Sequence, residues 1–144
     1  MDLTIRKATE ADIKDIKKIL SFFFLDTDTV EKNLPEFIVA QNETKTLGCA
    51  CLDIGNIVEL RSIAVLPAYR NKGVGSKLVE AVLGRAKELT DVIYLRTTSP
   101  VFFEKKGFVR LPDKEKKVIW KDCEECDKFD ICRQTMMKIE IVPK

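Results

Sequence analysis

The amino-acid sequence predicts a mixed α/β (α+β) fold, in which one sheet carries antiparallel and parallel strands and is flanked by helices. Three observations predict it. Strand-like segments separated by polar turns follow one another between residues 37 and 66, which is typical of an antiparallel meander. Apolar residues recur at helical spacing between residues 74 and 89 and lead into a short apolar run, which predicts a return to the sheet as a parallel strand. The 144 residues, 45% of them hydrophobic, suffice for one domain with its own core.

The first part of the chain predicts one strand and one helix. Leu3–Arg6 alternates as a strand, and Thr9 with Asp12 three residues later forms the pattern of a capping box. The helix that follows has an apolar face made of Ile13, Ile16, Ile19 and Leu20. A second short helix is predicted over 31–34, closing before Pro35.

The middle of the chain predicts three strands joined by turns. Phe37–Ala40 and Leu47–Ile54 are separated by a polar turn over 41–45. Gly55 and Asn56 form the next turn, and Ile57–Leu66 completes the meander.

The second half of the chain predicts a long helix followed by strands. Val92–Leu95 is the apolar run after the helix, and Met136–Val142 is a last strand. The predicted apolar face of the long helix consists of Val74, Leu78, Val79, Val82, Leu83, Ala86 and Leu89.

A basic glycine loop lies between the third strand of the meander and the long helix. Gly73 and Gly75 let the backbone approach an anion closely, and the first N–H groups of a helix have no intrahelical partners. Arg70 and Lys72 add positive charge, and the helix dipole favours negative charge at this end. The loop therefore predicts a pyrophosphate site.

Composition argues against several partners. The 25 basic and 23 acidic residues give a net charge of +2, which provides no overall attraction to nucleic acid. No stretch approaches the roughly 20 apolar residues of a membrane span, and the amino terminus lacks a basic region followed by an apolar run. We expect a cytoplasmic protein with neither a nucleic-acid nor a membrane partner.

Two motifs resemble those of a known family. The segment Ile63–Gly75, with its Leu66-Pro67 end and its glycine loop, resembles the acetyl-CoA-binding core of the GNAT superfamily of N-acetyltransferases. Phe102–Phe108 resembles the second signature of that superfamily, a short helix leading into a strand at Gly-Phe. The carboxyl-terminal part, with Trp120–Cys126, Cys132 and a Met-rich last strand, resembles the short single-domain amino-acid N-acetyltransferases known as N-acetylglutamate synthases.

The resemblance implies where acetyl-CoA binds. In the GNAT fold the two central strands, here Ile57–Leu66 and Val92–Arg96, splay apart, and the cofactor lies between them. The backbone of the first strand would bind the pantetheine arm, and the loop would bind the pyrophosphate. The implied cofactor-binding residues are Ile63, Ala64, Val65, Arg70, Asn71, Lys72, Gly73, Val74, Gly75 and Ser76.

Glu59 is the candidate catalytic residue. Acetyl transfer from a thioester to an amine needs a neutral amine, so a carboxylate that accepts its proton contributes to the rate. The strand period of two predicts that residues 59, 61, 63 and 65 share one face. By resemblance, the matching position in many GNAT enzymes polarises the amine. The alternative is that Glu59 only pairs with Arg61 or solvates the end of the strand.

Arg61 and Arg96 are the candidates for binding a carboxylate of the acceptor, because the guanidinium fork suits a carboxylate. We expect them near opposite ends of the central strands, where each could instead be an ordinary charge at a strand end. In the short synthases the first loop suits an acidic acceptor, whereas Phe22–Asp28 lies in that region here. This departure argues against glutamate in particular, so the expected acceptor is an amino acid whose identity the sequence does not fix.

The residue that protonates the departing thiolate is left open. Many GNAT members place a tyrosine at the second position of the pair that is Phe102-Phe103 here. Water, Tyr94, Ser99 or another hydroxyl could supply the proton, or a coenzyme A thiol could leave without one. Tyr94 lies in an apolar strand, as is typical of a core residue.

The five cysteines form two groups. Cys49 and Cys51 alternate within a strand, as small core residues do. Cys123, Cys126 and Cys132 are spaced for zinc, although a structural site takes four ligands and the chain has no histidine. The alternative for these three is solvent-facing or redox-active thiols.

The sequence thus predicts one acetyltransferase domain over residues 1–144, with a cysteine-containing segment at about 120–133. The expected reaction is direct transfer from acetyl-CoA to a small-molecule amine, most simply an amino acid. A protein N-acetyltransferase of the same fold and a non-catalytic acyl-CoA-binding sensor are the alternatives. A second copy of the chain, giving a homodimer, is a further candidate partner.

Overall fold

Seven strands form one sheet in the computed structural model, which describes residues 2–23, 25, 27–28, 30–112 and 134–141. The strands are β1 (Thr4–Lys7), β2 (Phe37–Asn42), β3 (Lys45–Ile54), β4 (Val58–Val65), β5 (Val92–Thr97), β6 (Val109–Arg110) and β7 (Thr135–Glu140). The helices are α1 (Ile13–Phe22), α2 (Val74–Ala86) and α3 (Pro100–Glu104), and single 3-10 turns lie at Glu10–Asp12, Leu34–Glu36 and Pro67–Tyr69. No helix of the described residues is long and apolar enough to cross a membrane.

The sheet confirms the predicted mixture of strand directions. Its order is β1-β2-β3-β4-β5-β7-β6, and every neighbouring pair is antiparallel except β4 and β5, which are parallel. The meander from β2 to β4 needs only short turns, whereas α2 supplies the crossover that a parallel strand requires. The short helix α3 followed by β6 also lies where the sequence predicts it.

Two clusters of buried apolar residues cover the two faces of the sheet. α2 and α3 cover one face, here called the α2 face, and α1 covers the other over β2, β3 and β4, here called the α1 face. The predicted apolar face of α1 is confirmed, and Cys49 and Cys51 are buried beneath it as core residues. Burial raises the pKa of both thiols to about 12. Leu89 was predicted for the α2 face, but α2 ends at Ala86 and the Leu89 side chain is half exposed.

Two element boundaries differ from the predicted ones. The turn between β2 and β3 is only Glu43 and Thr44, because backbone pairing continues through the polar residues at the solvent end of the hairpin. Glu43 has a φ of 55°, as a tight hairpin turn requires. Hydrogen-bonded turns replace the short helix predicted over 31–34. Pro35 lies inside the 3-10 turn Leu34–Glu36, where its missing N–H costs no hydrogen bond.

The predicted capping box before α1 is present and is held by an arginine from β1. The backbone N–H of Thr9 donates to the Asp12 carboxylate at 2.8 Å. Arg6 donates to both oxygens of that carboxylate, at 2.8 and 2.9 Å. The hydrogen bond from Arg6 is the main cause that lowers the pKa of Asp12, to about 2.

We expect Asp12→Asn to lower the free energy of unfolding at pH 7 by about 2 kcal/mol, because a pKa of about 2 instead of 3.8 favours the folded state by that amount. A carboxyl whose folded pKa is depressed stabilises the protein fully above pH 4, and the contribution is lost as the pH falls from about 4 to about 2. Urea denaturation of the wild type and the variant between pH 7 and pH 3 measures the difference. Asp91→Asn, at an exposed carboxyl, is the matched control. A difference that does not shrink toward pH 3 would contradict this electrostatic account.

Gly48 lies on β3 where the strand leaves no room for a side chain against β4 and α2. A Cβ at this position would lie 2.8 Å from the carbonyl oxygen of Ala64 and 3.2 Å from Cδ1 of Leu78. We expect Gly48→Ala to lower the free energy of unfolding by about 1–3 kcal/mol, as overpacking does in a close-packed core. Gly55→Ala is the control, since the nearest atom to its Cβ would be 3.9 Å away. Urea denaturation of the two variants measures the difference. Equal unfolding midpoints would show that the backbone around Gly48 can shift to accommodate a methyl group.

Candidate active site

The candidate site lies where β4 and β5 separate. These two strands share a single register pair, Glu59 with Tyr94, whereas β5 pairs with β7 along its whole length. Beyond that pair, residues 63–65 of β4 bond to β3 on one side, and no strand of the described residues pairs with them on the other. The open edge leaves backbone N–H and C=O groups that an extended, amide-containing ligand can bind as another strand would.

The glycine loop lies at the end of β4 and opens α2 as predicted. Gly73 is the N-cap of α2, with a left-handed φ of 83°, and Asn71 is left-handed at 63°. Left-handed residues in such a loop turn successive backbone N–H groups toward one side, which makes a concave anion site at the positive end of the helix dipole. The Val74 side chain is buried in the core, so Val74 can offer a ligand only its backbone.

Cations around the loop are held by aromatic rings. The Arg70 guanidinium lies 4.8 Å from the centre of the Phe23 ring. The Lys45 and Lys72 ammonium groups lie 5.1 and 5.8 Å from the centre of the Tyr69 ring. Within the part of the chain that the structure describes, none of these three cations pairs with a carboxylate, so the positive charge beside the loop is uncompensated.

Three of these neighbours, Phe23, Lys45 and Tyr69, were not predicted as site residues. Phe23 ends α1 and Lys45 begins β3, so the fold alone brings them to the loop. Only Tyr69 lies within the motif, the segment Ile63–Gly75, and the sequence analysis gave it no role of its own.

Glu59 pairs with Arg96 at the point where the two strands separate. Nε of Arg96 donates to Oε2 of Glu59 at 3.0 Å, and Nη2 lies 3.5 Å from Oε1. Both side chains are largely buried, at 7% exposure for Glu59 and 15% for Arg96. The predicted alternative partner of Glu59 is wrong, because Arg61 instead donates to Asp53 at 2.9 Å.

The prediction that residues 59, 61, 63 and 65 share one face is also wrong, because a β-bulge interrupts the alternation. Ser62 pairs with Cys51, and Leu60 pairs with the next residue of β3, so Arg61 is the extra residue on β4. Val58 and Leu60 therefore pack in the same cluster on the α2 face as Ile63 and Val65. Glu59 consequently points to the α1 face.

The two candidate arginines do not lie at opposite ends of the central strands. The strands are parallel and Glu59 is level with Tyr94, so Arg61 and Arg96, each two residues further on, are at the same level. Arg96 is buried against Glu59, whereas the Arg61 side chain is 46% exposed. Of the predicted site residues, the structure thus brings Arg96 and Glu59 into contact.

The comparison with protein families decides the identity of the fold. The model of the acetyltransferase (GNAT) domain matches residues 33–110, more than half of the chain. The chain belongs to the GNAT acetyltransferase family. The match covers β2 to β6 and therefore includes the gap, the glycine loop and Glu59.

Curated relatives carry names of the same kind. An uncharacterised N-acetyltransferase of Chlorobaculum tepidum is 29% identical, over 94% of this chain and 95% of the relative. An amino-acid acetyltransferase of Mycobacterium tuberculosis is 28% identical, over 74% of this chain and 68% of the relative. The chain is an N-acetyltransferase of the GNAT type that depends on acetyl-CoA, as the sequence predicts.

Solved structures share the fold. The N-acetylglutamate synthase of Neisseria gonorrhoeae, solved with coenzyme A and N-acetyl-glutamate, superimposes with a TM-score of 0.83 over 99% of this chain and 36% of that one, at 18% identity. A protein of Mycobacterium tuberculosis, solved in complex with CoA, gives a TM-score of 0.80 over 96% of this chain and 99% of that one, at 22% identity. At these identities the likeness shows the fold alone.

The aromatic pair of this GNAT domain is packed and offers no hydroxyl. The rings of Phe102 and Phe103 meet edge to face at 5.0 Å, and Phe103 is buried in the core. Tyr94 lies on the opposite face of β5 from the main core, half-buried against Met136. The side chain of Ser99 is exposed, and its backbone N–H donates to Oγ1 of Thr97 at 2.9 Å. The source of the proton for the thiolate stays open between these hydroxyls and water.

A cleft of about 310 Å³ lies beside the end of β4. It is bounded by α1, by the turn between β2 and β3, and by Leu66, and it touches neither Glu59 nor Arg96. The separation of the strands, and not this cleft, therefore marks the candidate active site.

The predicted zinc ligands Cys123, Cys126 and Cys132 lie outside the described residues. Among the residues that are described, no group of three or more His, Cys, Asp or Glu could hold a metal ion. Zinc is therefore without support here and stays a prediction from the sequence, which elemental analysis of the protein tests.

Proposed function

We propose that this protein transfers the acetyl group of acetyl-CoA directly to the amine of a small molecule, an amino acid. The observation that carries the proposal is the buried Glu59 carboxylate at the point where β4 and β5 separate. A ligand entering the gap along the open edge of β4 would bring its thioester toward this carboxylate.

We propose that two parts of the backbone bind acetyl-CoA. The open edge of β4 at Ile63, Ala64 and Val65 suits the amide-rich pantetheine arm, because it offers hydrogen bonds like those of a missing strand. The loop that runs to the first turn of α2 suits the pyrophosphate, since Arg70 and Lys72 pair with no carboxylate of the described residues and the N–H groups lie at a helix N-terminus. The loop residues assigned to this role are Arg70, Asn71, Lys72, Gly73, Val74, Gly75 and Ser76.

Glu59 accepts the proton of the acceptor in the proposed reaction. The amine nitrogen attacks the thioester carbonyl carbon, the C–N bond forms and the C–S bond breaks, and coenzyme A leaves as a thiolate. The neutral amine attacks through its lone pair, and the one proton that its nitrogen loses as the C–N bond forms passes to Glu59 directly or through one water molecule. Holding the two reactants together in the gap supplies a further part of the rate.

Arg61 is our candidate for the acceptor carboxylate. Its side chain is 46% exposed and its partner Asp53 is 32% exposed, so the guanidinium can turn toward a ligand. Arg96 is buried and occupied by Glu59. The names of the relatives support an amino acid as acceptor, and glutamate is the first to test, since one related fold was solved with N-acetyl-glutamate.

A panel of acceptors tests the proposal. The protein is incubated with acetyl-CoA and, separately, with each common amino acid, with simple amines and with a mixed peptide, and acetylated products are identified by mass spectrometry. Product with glutamate or another amino acid supports the proposal. Product with the peptide alone would assign the enzyme to protein acetylation, and coenzyme A binding without product would favour a sensor.

We also propose that residues 1–144 form a single domain. All seven strands of the described residues belong to one sheet, and both core clusters share β2 and β3. Limited proteolysis should release no stable fragment that lacks part of this sheet.

A further inference from the structure

Arg96 and Glu59 join the two central strands where they begin to separate. Glu59 lies on β4 in the one register pair that the strands share, and Arg96 lies on β5 two residues beyond Tyr94. The contacts of 3.0 Å to Oε2 and 3.5 Å to Oε1 bridge the strands on the α1 face. The ion pair is thus situated at the closed end of the proposed cofactor gap.

Stability alone does not account for an ion pair in this position. Both side chains are largely buried, at 15% and 7% exposure, whereas the pair of Arg110 with Glu104 has 50% and 42% exposure. Taking two charges out of water costs about as much as their attraction returns, so buried pairs contribute little net stability. What the pair does provide is a fixed geometry, because it joins a side chain of β4 to a side chain of β5.

The guanidinium fixes the orientation of the carboxylate. Two nitrogens of one planar group face the two oxygens of Glu59, which restrains rotation of the carboxylate about its terminal bond. A misplacement of about 1 Å in such a group can cost about 100-fold in rate.

We propose that Arg96 is a positioning residue, which holds the Glu59 carboxylate at the closed end of the gap in the orientation that acetyl transfer requires. The inference rests on the proposed function, in which Glu59 accepts the proton of the amine. It gives Arg96 a role distinct from that of Arg61, since Arg96 acts through Glu59 and Arg61 acts on the acceptor.

A double-mutant cycle tests this role with the amino acid that the acceptor panel identifies. The variants are Arg96→Gln, Arg96→Lys, Glu59→Gln and the double variant Glu59→Gln/Arg96→Gln. We expect Arg96→Gln to lower kcat by about tenfold or more in the wild type and by less than about twofold in the Glu59→Gln background, because a positioning residue has no effect once its target is removed. The KM for the acceptor and the Kd for acetyl-CoA should stay within about twofold, and Arg96→Lys should restore part of kcat.

Several outcomes would overturn the inference. An equal loss of kcat in both backgrounds would mean that Arg96 acts independently of Glu59. A raised acceptor KM with an unchanged kcat would make Arg96 a ligand of the acceptor. A weakened Kd for acetyl-CoA would mean that the pair only maintains the width of the gap. Arg110→Gln, which breaks an exposed pair of the same type, is the control and should change none of these constants.

Failure of the inference can be told apart from failure of the proposed function. If the wild type acetylates no amine, the proposed function fails before any variant is made, and the role of Arg96 fails with it. If the wild type is active and Glu59→Gln is equally active, amino-acid acetylation stands and the positioning role is rejected. If Arg96→Gln does not fold, a second double variant, Glu59→Gln/Arg96→Lys, is made, and the loss of kcat caused by Arg96→Lys is compared between the wild type and the Glu59→Gln background by the same criterion.

Discussion

Replacing Glu59 by glutamine is expected to lower kcat by about 100-fold or more, because the amide cannot accept the proton of the amine and general-base catalysis contributes at least that much. The side chain is 7% exposed and lies on β4 before the open edge at residues 63–65, so the Kd for acetyl-CoA should change by less than about twofold. Steady-state kinetics with the preferred acceptor and calorimetric titration with coenzyme A measure the two quantities. Glutamine preserves the volume of the buried side chain, so the sheet should remain intact.

Glu104→Gln is the matched control for this prediction. Glu104 also pairs with an arginine, Arg110, at 3.0 Å, but it lies on α3 with 42% of its side chain exposed. Its replacement should leave kcat unchanged. If Glu59→Gln retained the wild-type kcat and pH–rate profile, Glu59 would be a structural carboxylate and a different group would have to take the proton.

Replacing Gly73 by aspartate is expected to weaken acetyl-CoA binding by about 100-fold, which corresponds to about 2.7 kcal/mol. An N-cap carboxylate accepts hydrogen bonds from the first N–H groups of the helix, so it would compete for the groups that we assign to the pyrophosphate. It would also repel the pyrophosphate, since two like charges 4 Å apart near a surface cost about 4 kcal/mol. Calorimetric titration with coenzyme A measures the effect.

Gly73→Asn is the control, because it tests the change of residue at this left-handed position without adding a charge. The φ of 83° at Gly73 is a left-handed value that aspartate and asparagine both tolerate better than other residues do, and nothing lies within 4 Å of a Cβ placed there. The two variants should therefore unfold at similar temperatures, and Gly73→Asn should lose less than about tenfold in affinity. Equal losses would show that the backbone conformation matters more than the charge, and no loss in either variant would remove the loop from the cofactor site.

Local patterns predicted the elements of this fold well. The apolar repeat of α2 was correct up to Ala86, because one face of an isolated helix already shows which residues can be buried together. The capping box at Thr9 and Asp12 was correct for the same reason, since it joins residues three apart. The glycine loop was recognisable because it lies between a strand and a helix, and its left-handed residues are an asparagine and a glycine.

Local patterns failed where one strand contains an extra residue. The period of two placed Glu59 on the face of Ile63 and Val65, but the bulge at Arg61 shifts the alternation by one residue. A bulge is defined by the pairing of one strand with another, so the sequence of β4 alone cannot reveal it. The same limit explains why the turn between β2 and β3 was predicted too long. Its length depends on how far the two strands continue to pair, which neither strand shows alone.

The sequence by itself determined the order of the elements, the position of the glycine loop at the start of α2 and the family, because each rests on residues that are close together in the chain. The tertiary structure decided the partner of Glu59. Its nearest arginine in sequence is Arg61, two residues away, yet its partner is Arg96, 37 residues further along the chain. The pairing of Glu59 with Arg96 depends on the parallel register of β4 and β5, on the bulge that displaces Arg61 and on the burial of both side chains. These are properties of the assembled sheet.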